Sequence, residues 1–410
     1  MKYRRFLIDR VLSGLARSPA VLLVGARQTG KSFIVKGMSK DRAAQYVTFD
    51  NLPTLAAAKH DPIGFVNSIP KPVILDEIQR APELFLPIKE DLDAHRFPGR
   101  YMLTGSANPL LIPKLGDSLA GRMLLYELYP LSQGEIRGKQ ESFLQRVFAA
   151  DPTFEFSLPF SKSELIECIC RGGYPEIQSL NNKTERAEWA DSYLSLILQK
   201  DIQDLAKIEG LSQLPNLLLT MASQIGSLLD YGNLAKGSSL AATTLRRYLQ
   251  LLHSLFIIHT LPSWSRNLKK RLVKSPKVYF VDTLILLYLL NFDADRLLQN
   301  PQILGKATEN FVVLEILKQT TWNDERIDLF HFHTHDRKEV DLVLENSQGK
   351  VVGIEIKSSE TVGAEDFRNF HHLKEACGPD FLRGIVLYAG HQTLSFGPDL
   401  IAIPIAALWN

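Results

Sequence analysis

Eight residues constrain this chain more than any others: Gly25-Ala26-Arg27-Gln28-Thr29-Gly30-Lys31-Ser32. They match G-x-x-x-x-G-K-[ST], a pattern that works only where a buried strand turns into a helix. The glycines permit a tight loop whose backbone N–H groups face phosphate oxygens. The helix that starts at the loop adds a favourable dipole for anions. Lys31 supplies charge to the β- and γ-phosphates, and the Ser32 hydroxyl suits Mg²⁺. The apolar run Val21-Leu22-Leu23-Val24 precedes the loop and a helical pattern follows it, as the chemistry requires. The expected ligands are therefore ATP and Mg²⁺, held by residues Gly25 to Ser32.

Three further apolar runs, Tyr46–Phe49, Val73–Leu75 and Tyr101–Leu103, alternate with helical patterns. Such runs read as strands buried on both faces of a parallel sheet. Ligands bind at the carboxyl ends of strands in sheets of this kind. Asp76 is thus placed to complete the Mg²⁺ shell, and Glu77 to orient or deprotonate a water. Thr104, at the end of the next strand, can reach the γ-phosphate or that water. Arg122 is a candidate for stabilising transition-state charge, in its own subunit or a neighbour's. Residues 1–135 are expected to form this nucleotide-binding domain.

From 136 to 304 helical periodicity dominates. The segment around 211–282 reads as winged-helix-like, with two short helices about the Gly237-Ser238-Ser239 turn and then a basic, hairpin-like stretch. Arg246, Arg247, Arg266, Lys269, Lys270, Arg271, Lys274 and Lys277 are candidate contacts to nucleic-acid phosphates. The formal net charge is only +2, so the molecule as a whole is not an obvious polyanion binder, and the segment Arg266–Lys277 is the place for a local basic surface. Three cysteines, Cys168, Cys170 and Cys377, fit neither a disulfide framework nor a four-ligand zinc site. The apolar stretch Leu284–Phe292 falls short of the roughly 20 residues that span a bilayer. The basic N-terminus is followed by no long apolar core. A cytoplasmic protein is the expectation.

From 305 to 410 the pattern returns to α/β. Glu339–Glu345 and Val351–Lys357 alternate with period two, and a turn at Asn346–Gly349 joins them into a hairpin. The polar face carries Asp341 on one strand and Glu355 and Lys357 on the other. Two such carboxylates repel unless a cation or proton lies between them. Mg²⁺ favours hard oxygen ligands. The spacing D…E-x-K is the pattern of the PD-(D/E)xK nuclease fold. Glu309, on the helix expected over Gly305–Gln319, offers a third carboxylate, so Glu309, Asp341, Glu355 and Lys357 form a possible second metal site. His331, His333 and His335 alternate on the preceding strand and read as a half-exposed face.

Taken together these segments resemble the prokaryotic AAA-type ATPases that carry a C-terminal domain of uncharacterised function. The residues that carry the likeness include Leu75-Asp76-Glu77-Ile78-Gln79, Leu119-Ala120-Gly121-Arg122, Gly172-Gly173-Tyr174-Pro175-Glu176, Lys277–Asp282, Glu309–Val312 and Glu339-Val340-Asp341. That family usually has a glycine shortly after the Asp282 strand, whereas Thr283 here leads straight into Leu284-Ile285-Leu286. The resemblance implies an α/β multidomain fold with a P-loop NTPase parallel sheet, a helical or winged-helix middle region and a nuclease-like C-terminal domain. Three functions follow as expectations. One is an ATP-hydrolysing switch or remodeller acting on DNA or RNA. The others are an ATP-regulated metal-dependent nuclease and an ATP-controlled protein-interaction switch. Arg122 acting in a neighbour would imply a homo-oligomer.

Overall fold

A computed structural model describes residues 3–41, 43–108, 121–150, 154, 160–201, 211–334, 336 and 338–409. The chain divides into two units. One comprises Met1–Leu131, Lys200–Lys207 and Leu249–Ile257; the other comprises Ser132–Gln199, Ile208–Tyr248 and Ile258–Asn410.

The first unit is built on a five-stranded sheet of β1 (Ala20–Val24), β2 (Gln45–Thr48), β3 (Val73–Asp76), β4 (Tyr101–Gly105) and β5 (Met123–Glu127). Its order is β2-β3-β4-β1-β5, and every pairing is parallel. The central strands β1, β3 and β4 are buried throughout, which explains their continuous apolar runs. β2 is an edge strand and half-exposed, unlike the doubly buried strand its sequence suggests. β5 forms the other edge. Its residues are mostly half-exposed, and its apolar run Met123-Leu124-Leu125-Tyr126 was not among the strands expected. The helices Leu7–Arg17 and Lys31–Asp41 cover one face, sealing Val21, Leu23, Ile74 and Met102 from water. Gly14 lets the first helix approach closely, since a Cβ there would lie 2.5 Å from the Tyr126 hydroxyl.

In the second unit the helices Lys162–Arg171, Lys183–Leu196, Leu214–Ser223 and Tyr231–Ser238 precede a ribbon of β6 (Ile258–Leu261) and β7 (Lys277–Phe280). Ser239 adopts a left-handed conformation (φ 56°) and ends the helix Tyr231–Ser238, before the helix Ala242–Ser254 begins. β6 and β7 pair antiparallel. The stretch between them is not the bare hairpin expected, because Leu268–Val273 forms a short helix. Asp282 caps the helix Thr283–Leu290 by accepting from Leu284 N, which defines the turn at Thr283.

The C-terminal sheet has six strands: β8 (Ile327–His333), β9 (Glu339–Asn346), β10 (Val351–Lys357), β11 (Phe381–Tyr388), β12 (Leu394–Gly397) and β13 (Leu400–Pro404). Its order is β12-β13-β11-β10-β9-β8. β9 and β10 form the expected hairpin, with Leu342 opposite Ile354, while β11 runs parallel to both β10 and β13. The helix Pro301–Trp322 starts with Asn300 accepting from Ile303 N and a proline in its first turn. Its Asn310 side chain accepts from Phe280 N at 2.8 Å and donates to Phe280 O at 2.9 Å. That amide completes the outer edge of β7 as another strand would. It ties the ribbon to the helix beneath the C-terminal sheet, so residues on either side of 305 share one unit.

Candidate functional site

The parallel register brings three strand ends level: Val24 pairs with Gly105, Leu23 with Thr104, and Leu75 with Leu103. The loop Gly25–Gly30 leaves the end of β1. Gly25 lies against the backbone of Leu128, whose carbonyl oxygen would sit 2.1 Å from any Cβ, so only glycine fits. Gln28 (φ 63°) and Gly30 (φ 96°) take left-handed conformations that curl the loop. Thr29 Oγ1 donates to Ala26 O at 2.9 Å across that curl. The buried Lys31 ammonium points back into the loop, donating to Gly25 O at 2.8 Å and Ala26 O at 2.7 Å. Arg27 is half-buried and Gln28 exposed.

Asp76 is the hub of the facing side. Ser32 Oγ donates to its Oδ1 at 3.3 Å and Tyr46 OH to its Oδ2 at 2.5 Å, and the Thr104 hydroxyl also donates to Oδ1. Burial, reinforced by the bond to Asp76, pushes the Tyr46 pKa up, so the phenol stays a donor. A serine hydroxyl and a carboxylate oxygen side by side are the hard oxygen pair that suits Mg²⁺. Glu77 follows in a left-handed conformation (φ 60°), with Thr104 Oγ1 accepting from its backbone N–H at 3.3 Å. Its carboxylate bonds Gln79, whose Nε2 also donates to Ser106 Oγ at 2.8 Å. The structure thus gathers Gly25, Ala26, Thr29, Gly30, Lys31, Ser32, Asp76, Glu77 and Thr104 at one end of the sheet.

Arg122 is not among them. Ala20, the first residue of β1, pairs with Met123, so Arg122 lies at the opposite end of the strands from Gly25. Arg122 is level with Pro19, so six residues at roughly 3.3 Å each separate it from the level of Gly25. Arg122 instead grips Asp93, Nε to Oδ1 2.5 Å and Nη2 to Oδ2 3.0 Å. That geometry removes the transition-state role within its own subunit. Leu119 and Ala120 lie outside the described residues.

Three contributors went unseen in the sequence. Tyr46 and Gln79 lie in the runs already read as a strand and as a strand end, but only the register shows that they touch the carboxylates. Arg5 is more remote. Its guanidinium is buried and donates to Thr29 O at 2.7 Å and Tyr129 O at 2.6 Å, bracing the loop from a segment whose only sequence signal is its charge.

The C-terminal set arranges itself differently from expectation. Glu309 and Asp341 face Lys277 of β7, whose side chain is 2% exposed. Its ammonium lies 2.8 Å from Glu309 Oε1 and 3.8 Å from Asp341 Oδ1 and also pairs with Glu339. Tyr279 OH donates to Glu309 Oε1 at 2.7 Å, and Ile356 N to Asp341 Oδ2 at 2.9 Å. Burial alone would lower the Lys277 pKa, but the pull of Tyr279, Glu309, Asp341 and Glu339 raises it well above the usual range. Burial, with Glu355 and Glu309 adding to it, pushes Asp341 toward its protonated form. Glu355 and Lys357 pair with each other at 3.1 Å, and Lys357 reaches Asp366 at 3.6 Å. Among the described residues, the trio of potential metal ligands with donor atoms within 4.8 Å of one another is His371, His372 and Glu375. Glu309, Asp341 and Glu355 do not converge in that way.

The basic segment is also largely consumed. Arg271 bonds Glu345 at 2.6 Å and stacks on Phe330 and Trp264. Lys274 donates to His333 O at 3.1 Å, and Arg266 lies 3.7 Å from Asp380. The side chain of Lys270 lies outside the described set. Lys236, Arg246, Arg247 and Lys269 remain exposed. His331 is not half-exposed. A bulge between Phe330 and Phe332 breaks the alternation of β8 and buries it, and burial, then Lys277, lowers its pKa to about 3. His335 falls outside the described residues.

A parallel sheet with a phosphate loop after β1 and paired acids after β3 defines a P-loop ATPase fold of the AAA type. Residues 17–137 match the AAA domain family, 162–296 the family "Domain of unknown function (DUF8612)" and 304–408 the family "Domain of unknown function (DUF4143)". The chain belongs to the same family as uncharacterized protein Rv2008c of Mycobacterium tuberculosis and uncharacterized protein Mb2031c of Mycobacterium bovis. Each is 30% identical to it over 403 residues, 98% of this chain and 83% of the relative. Among solved structures, the Walker-type ATPase PABY2304 of Pyrococcus abyssi is similar at 15% identity and a TM-score of 0.44, covering 71% of this chain and 96% of that one. No helix among the described residues is long and apolar enough to cross a membrane.

Proposed function

We propose that this protein hydrolyses ATP and uses the cycle as a switch acting on nucleic acid. The observation that carries the reading is the shared level of the loop, Asp76, Glu77 and Thr104 at the carboxyl ends of β1, β3 and β4. The loop fits a polyphosphate, because Gln28 and Gly30 curl its backbone around the buried Lys31 ammonium at the start of a helix. Lys31 would leave its loop carbonyls for phosphate oxygens, exchanging neutral acceptors for charged ones. Ser32 and Asp76 would hold Mg²⁺, which supplies charge neutralisation at the β- and γ-phosphates when bound. Glu77 would orient and deprotonate the attacking water, and Thr104 keeps both acids in place through Asp76 and the Glu77 N–H. Gln79 holds the Glu77 carboxylate meanwhile.

The nucleic-acid part of the proposal rests on Lys236, Arg246 and Arg247, exposed on two successive helices that precede a two-stranded ribbon, the element order of a winged helix. The test is ATP turnover with and without DNA or RNA for wild type, Lys31→Ala and Arg246→Ala/Arg247→Ala. We expect Lys31→Ala to lose ATP binding. The double variant should keep basal turnover and lose both stimulation and the salt-dependent nucleic-acid affinity. Unchanged ATP affinity in Lys31→Ala would overturn the nucleotide site. Wild-type turnover indifferent to both nucleic acids, with no salt-dependent binding, would overturn the second half and leave an ATP-controlled protein-interaction switch.

A further inference from the structure

The carboxylates of the C-terminal domain pose a separate question from the ATP site. Glu309, Glu339 and Asp341 come from one helix and one strand, and they meet at a side chain from neither. That side chain is Lys277, the first residue of the fully buried strand β7. An ammonium carries three protons and no lone pair, so it can serve three carboxylates and ligate no metal. The cluster offers it three carboxylates. Tyr279, two residues on and therefore on the same face of β7, closes one side by bonding Glu309. The second oxygen of Glu309 faces Gly226, where a Cβ would stand 2.9 Å away.

We infer that Lys277 is the resident cation of this cluster, its ammonium taking the seat that a divalent metal ion would need between Glu309, Glu339 and Asp341. A metal ion there would meet a like charge at contact distance and would have to expel a side chain that is 98% enclosed. The D…E-x-K pattern is retained on β9 and β10, yet its members are spent on ion pairs: Asp341 toward Lys277, Glu355 on Lys357. The domain therefore does not perform metal-dependent strand cleavage while Lys277 is in place. Removing the ammonium uncovers a site for hard cations.

Terbium luminescence tests this, because Tyr279 touches Glu309 and tyrosine sensitises a bound Tb³⁺. Tyr46 could do the same at Asp76, so every protein carries Asp76→Asn and is kept free of nucleotide. In that background we expect wild-type Lys277 protein to give emission that is unchanged by Asp341→Asn. Lys277→Ala should gain saturable emission, at least ten-fold tighter, that Asp341→Asn abolishes. Lys277→Met, which keeps the alkyl stem, serves as the second variant. Tight, Asp341-dependent Tb³⁺ binding with Lys277 present would overturn the inference. So would the absence of any gain in Lys277→Ala and Lys277→Met proteins that keep native tryptophan emission. Should neither variant fold, the comparison of Lys277 protein with and without Asp341→Asn still decides it.

Discussion

Replacing Lys277 with methionine removes one charge and little volume, so its cost isolates the ammonium. The lysine side chain is 2% exposed, and Glu309 and Asp341 are each 15% exposed. Glu339, at 38%, can turn to water and counts for little. Glu309 would lose its counter-charge, and Asp341, already pushed toward its protonated form, would lose the cation that opposes that push. Breaking a buried ion group by deleting one partner costs about 3–5 kcal/mol, because the surviving charge is left uncompensated. Tyr279 and the Ile356 N–H still serve those carboxylates, which keeps the expected value within that range. All four tryptophans, Trp189, Trp264, Trp322 and Trp409, lie in the second unit, so tryptophan emission reports its unfolding alone. At a urea slope of about 2–3 kcal/mol per M, the midpoint at pH 7 should fall by about 1–2 M. ATP binding in native buffer should not change. Adding Glu309→Gln should restore part of the loss, since one unpaired charge goes with it. A loss under about 1 kcal/mol, or a double variant less stable than Lys277→Met alone, would show that the ammonium does not balance these carboxylates.

Two further outcomes follow from buried charges elsewhere. Arg5→Ala deletes the buried donors to Thr29 O and Tyr129 O, charged hydrogen bonds worth about 1.5–3 kcal/mol each, and should weaken ATP binding by roughly ten-fold or more in a titration at fixed Mg²⁺. Unaltered affinity would show that the loop keeps its shape unaided. Asp282 is fully buried, and burial raises its pKa to about 6 despite the Gly173 and Leu284 N–H groups it accepts from. The folded state thus holds a proton that the unfolded chain releases near pH 4, so stability falls as pH rises from about 4 to 6. That shift of about two pH units corresponds to roughly 3 kcal/mol. Asp282→Asn, which cannot ionise, should be less stable than wild type at pH 4, and the gap should narrow by about that amount by pH 7. Parallel urea midpoints across that range would refute the assignment.

What the sequence could reveal divides along a physical line. Motifs whose chemistry demands a particular backbone were legible: the loop at Gly25–Ser32, the acids ending β3, and the hairpin of β9 and β10 with its alternating faces. Pairing between distant elements was not. Nothing in the residues around Arg122 says that β5 lies beside β1 with Met123 level with Ala20, yet that register alone moves the arginine to the far end of the sheet. β5 itself was not read as a strand although Met123-Leu124-Leu125-Tyr126 is an apolar run. Lys277 shows where a stricter reading was available. It was counted with Arg271 and Lys274 as one basic run, but it opens Lys277-Val278-Tyr279-Phe280, a segment otherwise apolar and aromatic. Buried lysine is tolerated only when paired. A lysine at the start of such a strand therefore demands carboxylates, and Glu309, Glu339 and Asp341, all in segments already singled out in the sequence, supply them. The same residues that suggested a metal site were the ones a buried ammonium required. A pattern of acids on adjacent strands specifies that a cation or a proton must lie among them, and the burial of the nearest basic side chain determines whether the protein supplies a cation itself.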